Sequence, residues 1–184
     1  MTGEVDCNEF DSAISTLMPV FKSNIISENT DIIHAHHLTY PPIATIGKFN
    51  KTELPPIILN IHGSDILSGI KDSKHLKYIK RSCQIADVLV CPSKQLLSDL
   101  KKVCSPDLWK NKTTIIPLAV ANEMLEYGKR HKEYINKAKF TVLYSGRLTK
   151  NKGVHLIIRA LSELPKNIIL KIAGDGQENK NLKK

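Results

Sequence analysis

The chain has 184 residues, 41% of them apolar and 24% charged, the composition of a soluble globular protein with room for one sizeable domain or two small ones. No apolar stretch approaches the roughly 20 residues that cross a bilayer, and the start, MTGEVDCNEF, lacks the apolar core of a signal peptide. The net charge of +9 is lopsided: residues 1–70 hold 3 Lys/Arg against 8 Asp/Glu, and residues 71–184 hold 24 against 10, which points either to an anionic partner or to a solvated lysine-rich surface.

Phe10, Ile14, Leu17, Met18 and Phe21 recur at helical spacing and predict an amphipathic first helix. The run Asp31-Ile32-Ile33-His34-Ala35-His36 reads as a short strand, after which Pro41-Pro42 opens a helix to about Lys48. Pro56-Ile57-Ile58-Leu59-Asn60-Ile61 is nearly all apolar, as a strand buried on both faces would be, and His62-Gly63-Ser64-Asp65 reads as the turn that closes it. A helix over about 73–85 leads into the strand Asp87-Val88-Leu89-Val90-Cys91. Pro92-Ser93 starts the next helix with Ser93 as N-cap, and Thr114-Ile115-Ile116-Pro117 ends a fourth strand. The polar segment 122–139 reads as a linker or surface helix. Beyond it Phe140 to Tyr144, a helix from Gly153 to Leu164 and a strand ending at Ala173 make a further β-α-β unit. Strands alternating with helices predict an α/β fold with parallel sheets covered by helices on both faces. Cys7, Cys83, Cys91 and Cys104 show no CxxC spacing and are expected as reduced thiols of a cytosolic protein.

The stretch YSGRLTKNKG, Tyr144 to Gly153, leaves its strand through a glycine and sets two cations before a helix. In open parallel sheets, ligands sit where strands end and helix N-termini point free N–H groups outward. Gly146 permits close backbone approach, Arg147 offers a fork for two phosphate oxygens, and Lys152 adds a point charge. The second strand of the unit ends at the same sheet edge in Ala173-Gly174-Asp175-Gly176, so the two turns together form a cradle for a diphosphate. A nicotinamide dinucleotide fingerprint is the competing reading of that turn, but its third glycine falls on Asn179.

The ordered set DIIHAHH, LNIHGSD, ADVLVCPS, IIPLAV, YSGRLTKNKG and KIAGDGQE, spanning about 31–178, resembles glycosyltransferase family 4. These are retaining enzymes with two Rossmann-like domains in the GT-B arrangement and a nucleotide-sugar donor. The resemblance implies a partial N-terminal domain over 1–121, a linker over 122–139 and the beginning of the nucleotide-sugar-binding domain over 140–184. It implies donor-diphosphate binding by Gly146, Arg147, Lys152 and Gly174, and a catalytic His62 facing the donor sugar. Gly63, Asp65 and His36 are further candidate contacts to donor or acceptor; Asp65 reads equally as a cap for the following helix. The co-substrate would be a UDP- or GDP-sugar, with no cofactor and no metal, because the Arg/Lys pair supplies the neutralising charge. The acceptor would be a glycan or a lipid-linked molecule of surface polysaccharide or glycolipid assembly, met at the cytoplasmic face of the membrane. The glycine-rich loop and the late glutamate pair of the family have no counterpart here. The chain is therefore expected to be the middle of such an enzyme and inactive alone, and a non-catalytic binding subunit is the alternative.

His34 and His36 share a strand face with no carboxylate or Cys at ligand spacing, so metal is not expected. The 73–85 helix sets Lys74, Lys77 and Arg81 apart from Leu76, Ile79 and Cys83. It reads either as a face that touches an anionic membrane or as a solvated lysine face over a core stripe. Nucleic acid is not expected as a partner, since aromatics are 5% of the chain and no nucleic-acid-binding motif appears.

Overall fold

The computed structural model describes residues 7–26, 30–71, 73–130 and 140–182. They form two compact units that divide between Ala119 and Val120. The first unit starts with α1 (Cys7–Phe21), the amphipathic helix that the spacing predicts, and continues in a π-helical turn over Lys22–Ile26. Then come β1 (Ile33–His36), α2 (Pro41–Ile46), β2 (Ile57–Asn60), α3 (Gly63–Lys71), α4 (Ser73–Ile85), β3 (Val88–Cys91), α5 (Lys94–Val103) and β4 (Thr113–Ile115). The four strands lie parallel in the order β1-β2-β3-β4. Parallel neighbours cannot be joined by tight hairpins, so each connection climbs back through a helix. That geometry brings all strand C-termini to one edge.

The apolar runs form the core of this unit. Ile57 and Leu59 of β2, Leu89 of β3, Ile66 of α3, Ile79 and Cys83 of α4 and Leu100 of α5 are all buried in one cluster. Ser93 caps α5 as expected, its hydroxyl accepting the Leu96 N–H at 3.1 Å. Cys83, Cys91 and Cys104 are free and buried, and burial pushes the Cys91 thiol up to about 11.

Two expectations change here. Residues 63–65 are not part of a turn but the first residues of α3, whose entry Asp65 secures by reaching back to the His62 backbone. Gly69 then lets α3 lie against α4: a Cβ there would stand 2.2 Å from Ile79 Cδ1. Arg81, expected on the solvent side of α4, turns inward instead. Its Nε donates to the Gly47 carbonyl at 2.7 Å and its Nη2 to the Phe49 carbonyl at 3.1 Å, which satisfies carbonyls left open where α2 ends.

The second unit contains α6 (Asn122–Arg130), β5 (Phe140–Ser145), α7 (Val154–Ser162), β6 (Ile168–Ala173) and the short α8 (Asn179–Leu182). The polar segment 122–139 is thus helical over Asn122–Arg130, with no buried residue, and 131–139 lies outside the described residues. β5 and β6 pair in parallel from Phe140↔Ile168 to Ser145↔Ala173, so both glycine turns leave from the same edge.

Candidate active site

In the first unit, the edge where β1 and β2 end gathers histidines. His36 pairs with Asn60 across the two strands, and the His37 N–H continues the ladder to the Asn60 carbonyl at 3.0 Å. His37 then takes the left-handed conformation, φ 70°, which is uncommon for a residue with a side chain. The ring so placed stacks on Tyr40, centroids 3.9 Å apart, and on His62, 4.1 Å apart. His36 Nδ1 and His62 Nε2 lie 3.3 Å apart, within hydrogen-bond reach when one nitrogen carries the proton and the other does not. His34 Nε2 faces the Asn60 side-chain oxygen at 3.3 Å.

Asp65 sits beneath this group, 1% exposed. Its Oδ2 accepts the His62 N–H at 3.0 Å, while Oδ1 accepts from Thr39 Oγ1 at 3.3 Å and faces His37 Nδ1 at 3.2 Å. The residue is therefore third in α3 rather than its cap, and it ties the end of β1 to the start of α3. Gly63 is exposed, and a Cβ there would meet nothing within 4 Å, so its backbone stands open. Burial and the neighbouring His37 hold the His62 imidazole below its ordinary value, against the smaller opposing pull of Asp65. A neutral ring results near pH 7, able to give or take a hydrogen bond. Of the residues singled out from the sequence, His36, His62 and Asp65 come together here. The roles of His37, Thr39 and Tyr40 were not foreseen; only the second histidine of the His36-His37 pair marked the place.

In the second unit the two glycine turns are laid side by side. The Gly146 N–H donates to the Ala173 carbonyl at 3.0 Å, the Leu148 N–H to Asp175 at 2.8 Å, and the Glu178 N–H to Leu148 at 2.9 Å. Gly174 is required by that contact: a Cβ there would lie 1.9 Å from the Gly146 carbonyl oxygen. Tyr144 braces the first turn, its hydroxyl donating to the Arg147 carbonyl at 2.9 Å. Leu148 and Thr149 are buried anchors, after which a 3-10 turn over Lys150–Lys152 reaches Gly153. Gly153, left-handed with φ 70°, precedes α7 and supplies no side-chain cap for its first N–H groups. Arg147 and Lys152 are exposed, and among the described residues neither is paired with a carboxylate. Two cations on the connection into an uncapped helix N-terminus suit an anion. Among the described residues, no group of three or more His, Cys, Asp and Glu is placed to hold a metal ion.

The profile of the family described as Glycosyltransferase Family 4 matches residues 12–124, more than half of the chain. The chain belongs to glycosyltransferase family 4. The profile described as Glycosyl transferases group 1 matches residues 128–184. MJ1178, an uncharacterized glycosyltransferase of Methanocaldococcus jannaschii, is 30% identical over 174 residues, covering 92% of this chain and 44% of that protein. TuaC of Bacillus subtilis strain 168, a candidate teichuronic acid biosynthesis glycosyltransferase, is 26% identical over 159 residues, covering 83% of this chain and 39% of that protein. The crystal structure of Anabaena Alr3699/HepE in complex with UDP is similar in fold, with a TM-score of 0.63 and 18% identity over 96% of this chain and 46% of that one. The same protein with UDP and glucose gives 0.60 and 17%, covering 100% of this chain and 48% of that one. The family-4 chain described here thus spans less than half the length of each of these relatives. Its parallel α/β units are those of the GT-B fold.

Proposed function

We propose that this family-4 chain serves the transfer of a sugar from a nucleoside diphosphate donor to a glycan or lipid-linked acceptor, with retention at the anomeric carbon. The observation that carries the reading is the pair of zipped glycine turns, beside which Arg147 and Lys152, near the N-terminus of α7, have no ion-pair partner among the described residues. A diphosphate brings at least two negative charges and planar oxygen pairs that an arginine fork fits. With both cations engaged, leaving-group charge is neutralised without a divalent metal. UDP is the ligand of the Anabaena neighbour, and glucose accompanies it in one structure, which supports a UDP-hexose among the candidate donors. GDP is the other candidate base. His62 is the residue of the first unit assigned to the donor sugar, as a neutral hydrogen-bonding ring, with His36 and Gly63 beside it. Asp65 holds that ring's backbone rather than a ligand.

The relation to TuaC supports an acceptor in surface polysaccharide assembly, and with it a place at the cytoplasmic membrane face. Contact with the bilayer is peripheral in this reading; among the described residues no helix is long and apolar enough to cross a membrane. Saturation-transfer NMR with UDP-glucose, a GDP-sugar and NADH tests the donor class. The nucleoside-diphosphate sugars should bind and be displaced by UDP or GDP; preferential binding of NADH would overturn the proposal.

A further inference from the structure

A second cationic site lies in the first unit, away from the histidine edge. A groove of about 570 Å3 runs between the end of α2 and α4, lined by Lys48, Lys77, Lys80 and Arg81 with Leu76 and Tyr78 beside them. No Asp or Glu is among its lining residues. Lys77, Lys80 and Arg81 stand three and four apart on α4, the spacing at which helical side chains face the same way and like charges repel. Arg81 is fixed by its bonds to the carbonyls of Gly47 and Phe49, and Lys48 is the residue between those two. The turn that carries Lys48 is thus clamped onto the helix that carries the other lysines. Among the described residues, none of Lys48, Lys77 and Lys80 is ion-paired. Asp11 lies in an adjoining cleft that shares Lys48, where it accepts the Tyr78 hydroxyl at 3.3 Å.

We infer that this groove binds a phosphomonoester or phosphodiester group. Lys48 from the clamped turn and Lys77 and Lys80 from α4 line one groove, where a bound phosphate offsets their like charge, and the Leu76 and Tyr78 side chains receive the carbon attached to it. The site is independent of the donor cradle, which lies in the other unit. Phosphate of this kind reaches a protein on a soluble metabolite or on a lipid headgroup, and the probes separate the two. The 184-residue chain, labelled with 15N, is titrated with glycerol 3-phosphate, and separately mixed with phosphatidylcholine vesicles with and without phosphatidylglycerol. Binding in either arm should shift or broaden the amides of 47–48 and 76–81. The soluble probe responding identifies a soluble phosphate ligand; response to phosphatidylglycerol vesicles alone identifies a headgroup. The variant carrying Lys48→Gln, Lys77→Gln and Lys80→Gln should lose roughly fivefold in affinity per lysine, with Lys110→Gln unchanged. All four lysines are exposed, so the folds should survive. No response in either arm, or a triple variant that binds like the parent, would overturn the inference. UDP titration of the same samples reports the donor cradle separately.

Discussion

The carboxylate of Asp65 accepts the backbone N–H of His62 at 3.0 Å, and only 1% of Asp65 is exposed. One side chain therefore starts a helix and fixes the position of the candidate catalytic histidine. With Thr39 and His37 also turned to it, Asp65 joins β1, α3 and the ring stack at one point. Replacing it with Ala strands a cluster of donors in the interior, at a cost of about 2 kcal/mol or more. Asp65→Asn keeps one acceptor oxygen and should lose less. Urea unfolding of the two variants measures the difference, and an Asp65→Ala chain as stable as the parent would contradict the role assigned here.

The His62 ring carries a pH signature. Its folded-state value lies below the ordinary 6.5, first because of burial and then because of His37. Above 6.5 the ring is neutral in both states and the full stability is present. As pH falls through 6.5 toward the lower folded value, the unfolded chain takes up the proton first, and stability drops. An NMR titration should find His62 titrating below 6.5, with the unfolding midpoint lower at pH 5.5 than at pH 7.5. Titration of His62 at or above 6.5 would contradict the packing described.

Gly174→Ala tests the zipped turns. The added Cβ would meet the Gly146 carbonyl oxygen at 1.9 Å, a contact that backbone must move to relieve. The Gly146 to Ala173 hydrogen bond should weaken, with faster amide exchange at Gly146 and poorer nucleotide binding. Unchanged exchange there would show that the turns are not held together as described.

How much of this was legible beforehand depended on how local the physics is. β2 and β3 announced themselves because strands buried in a parallel sheet are runs of apolar residues, as in Ile57-Ile58-Leu59 and Val88-Leu89-Val90. The start of α3 did not, because Gly63, Ser64 and Asp65 are turn formers and only Ile66 of its Ile66, Leu67 and Ile70 is buried, with the other two 62% and 60% exposed. The ring stack rests on the left-handed φ of His37, which no residue pattern specifies. Gly146 and Gly174 were recognisable as turn residues, whereas the reason for Gly174, a carbonyl from the other turn, is tertiary. Arg81 read as a surface cation because its acceptors, Gly47 and Phe49, are more than 30 residues away in sequence.

The two sheets should differ in protection. β2 and β3 pair with strands on both sides and are largely buried, whereas among the described residues β5 and β6 pair only with each other and leave Phe140 65% and Leu143 67% exposed. Amide exchange should be markedly faster across Phe140–Ser145 and Ile168–Ala173 than across Ile57–Asn60 and Val88–Cys91. Equal protection in a dilute monomer would show that the β5-β6 pair is covered.

We assign the glycine turns of the second unit, with Arg147 and Lys152, to a nucleoside diphosphate. Titration of the 15N-labelled chain with UDP and with GDP, for the parent and for Arg147→Ala, tests it most directly. The amides of 146–153 and 174–176 should shift in the parent. Affinity read at those amides should fall roughly tenfold or more when the charge-assisted fork is removed. No shift at those amides, or an Arg147→Ala chain that binds UDP and GDP there as tightly as the parent, would contradict the assignment.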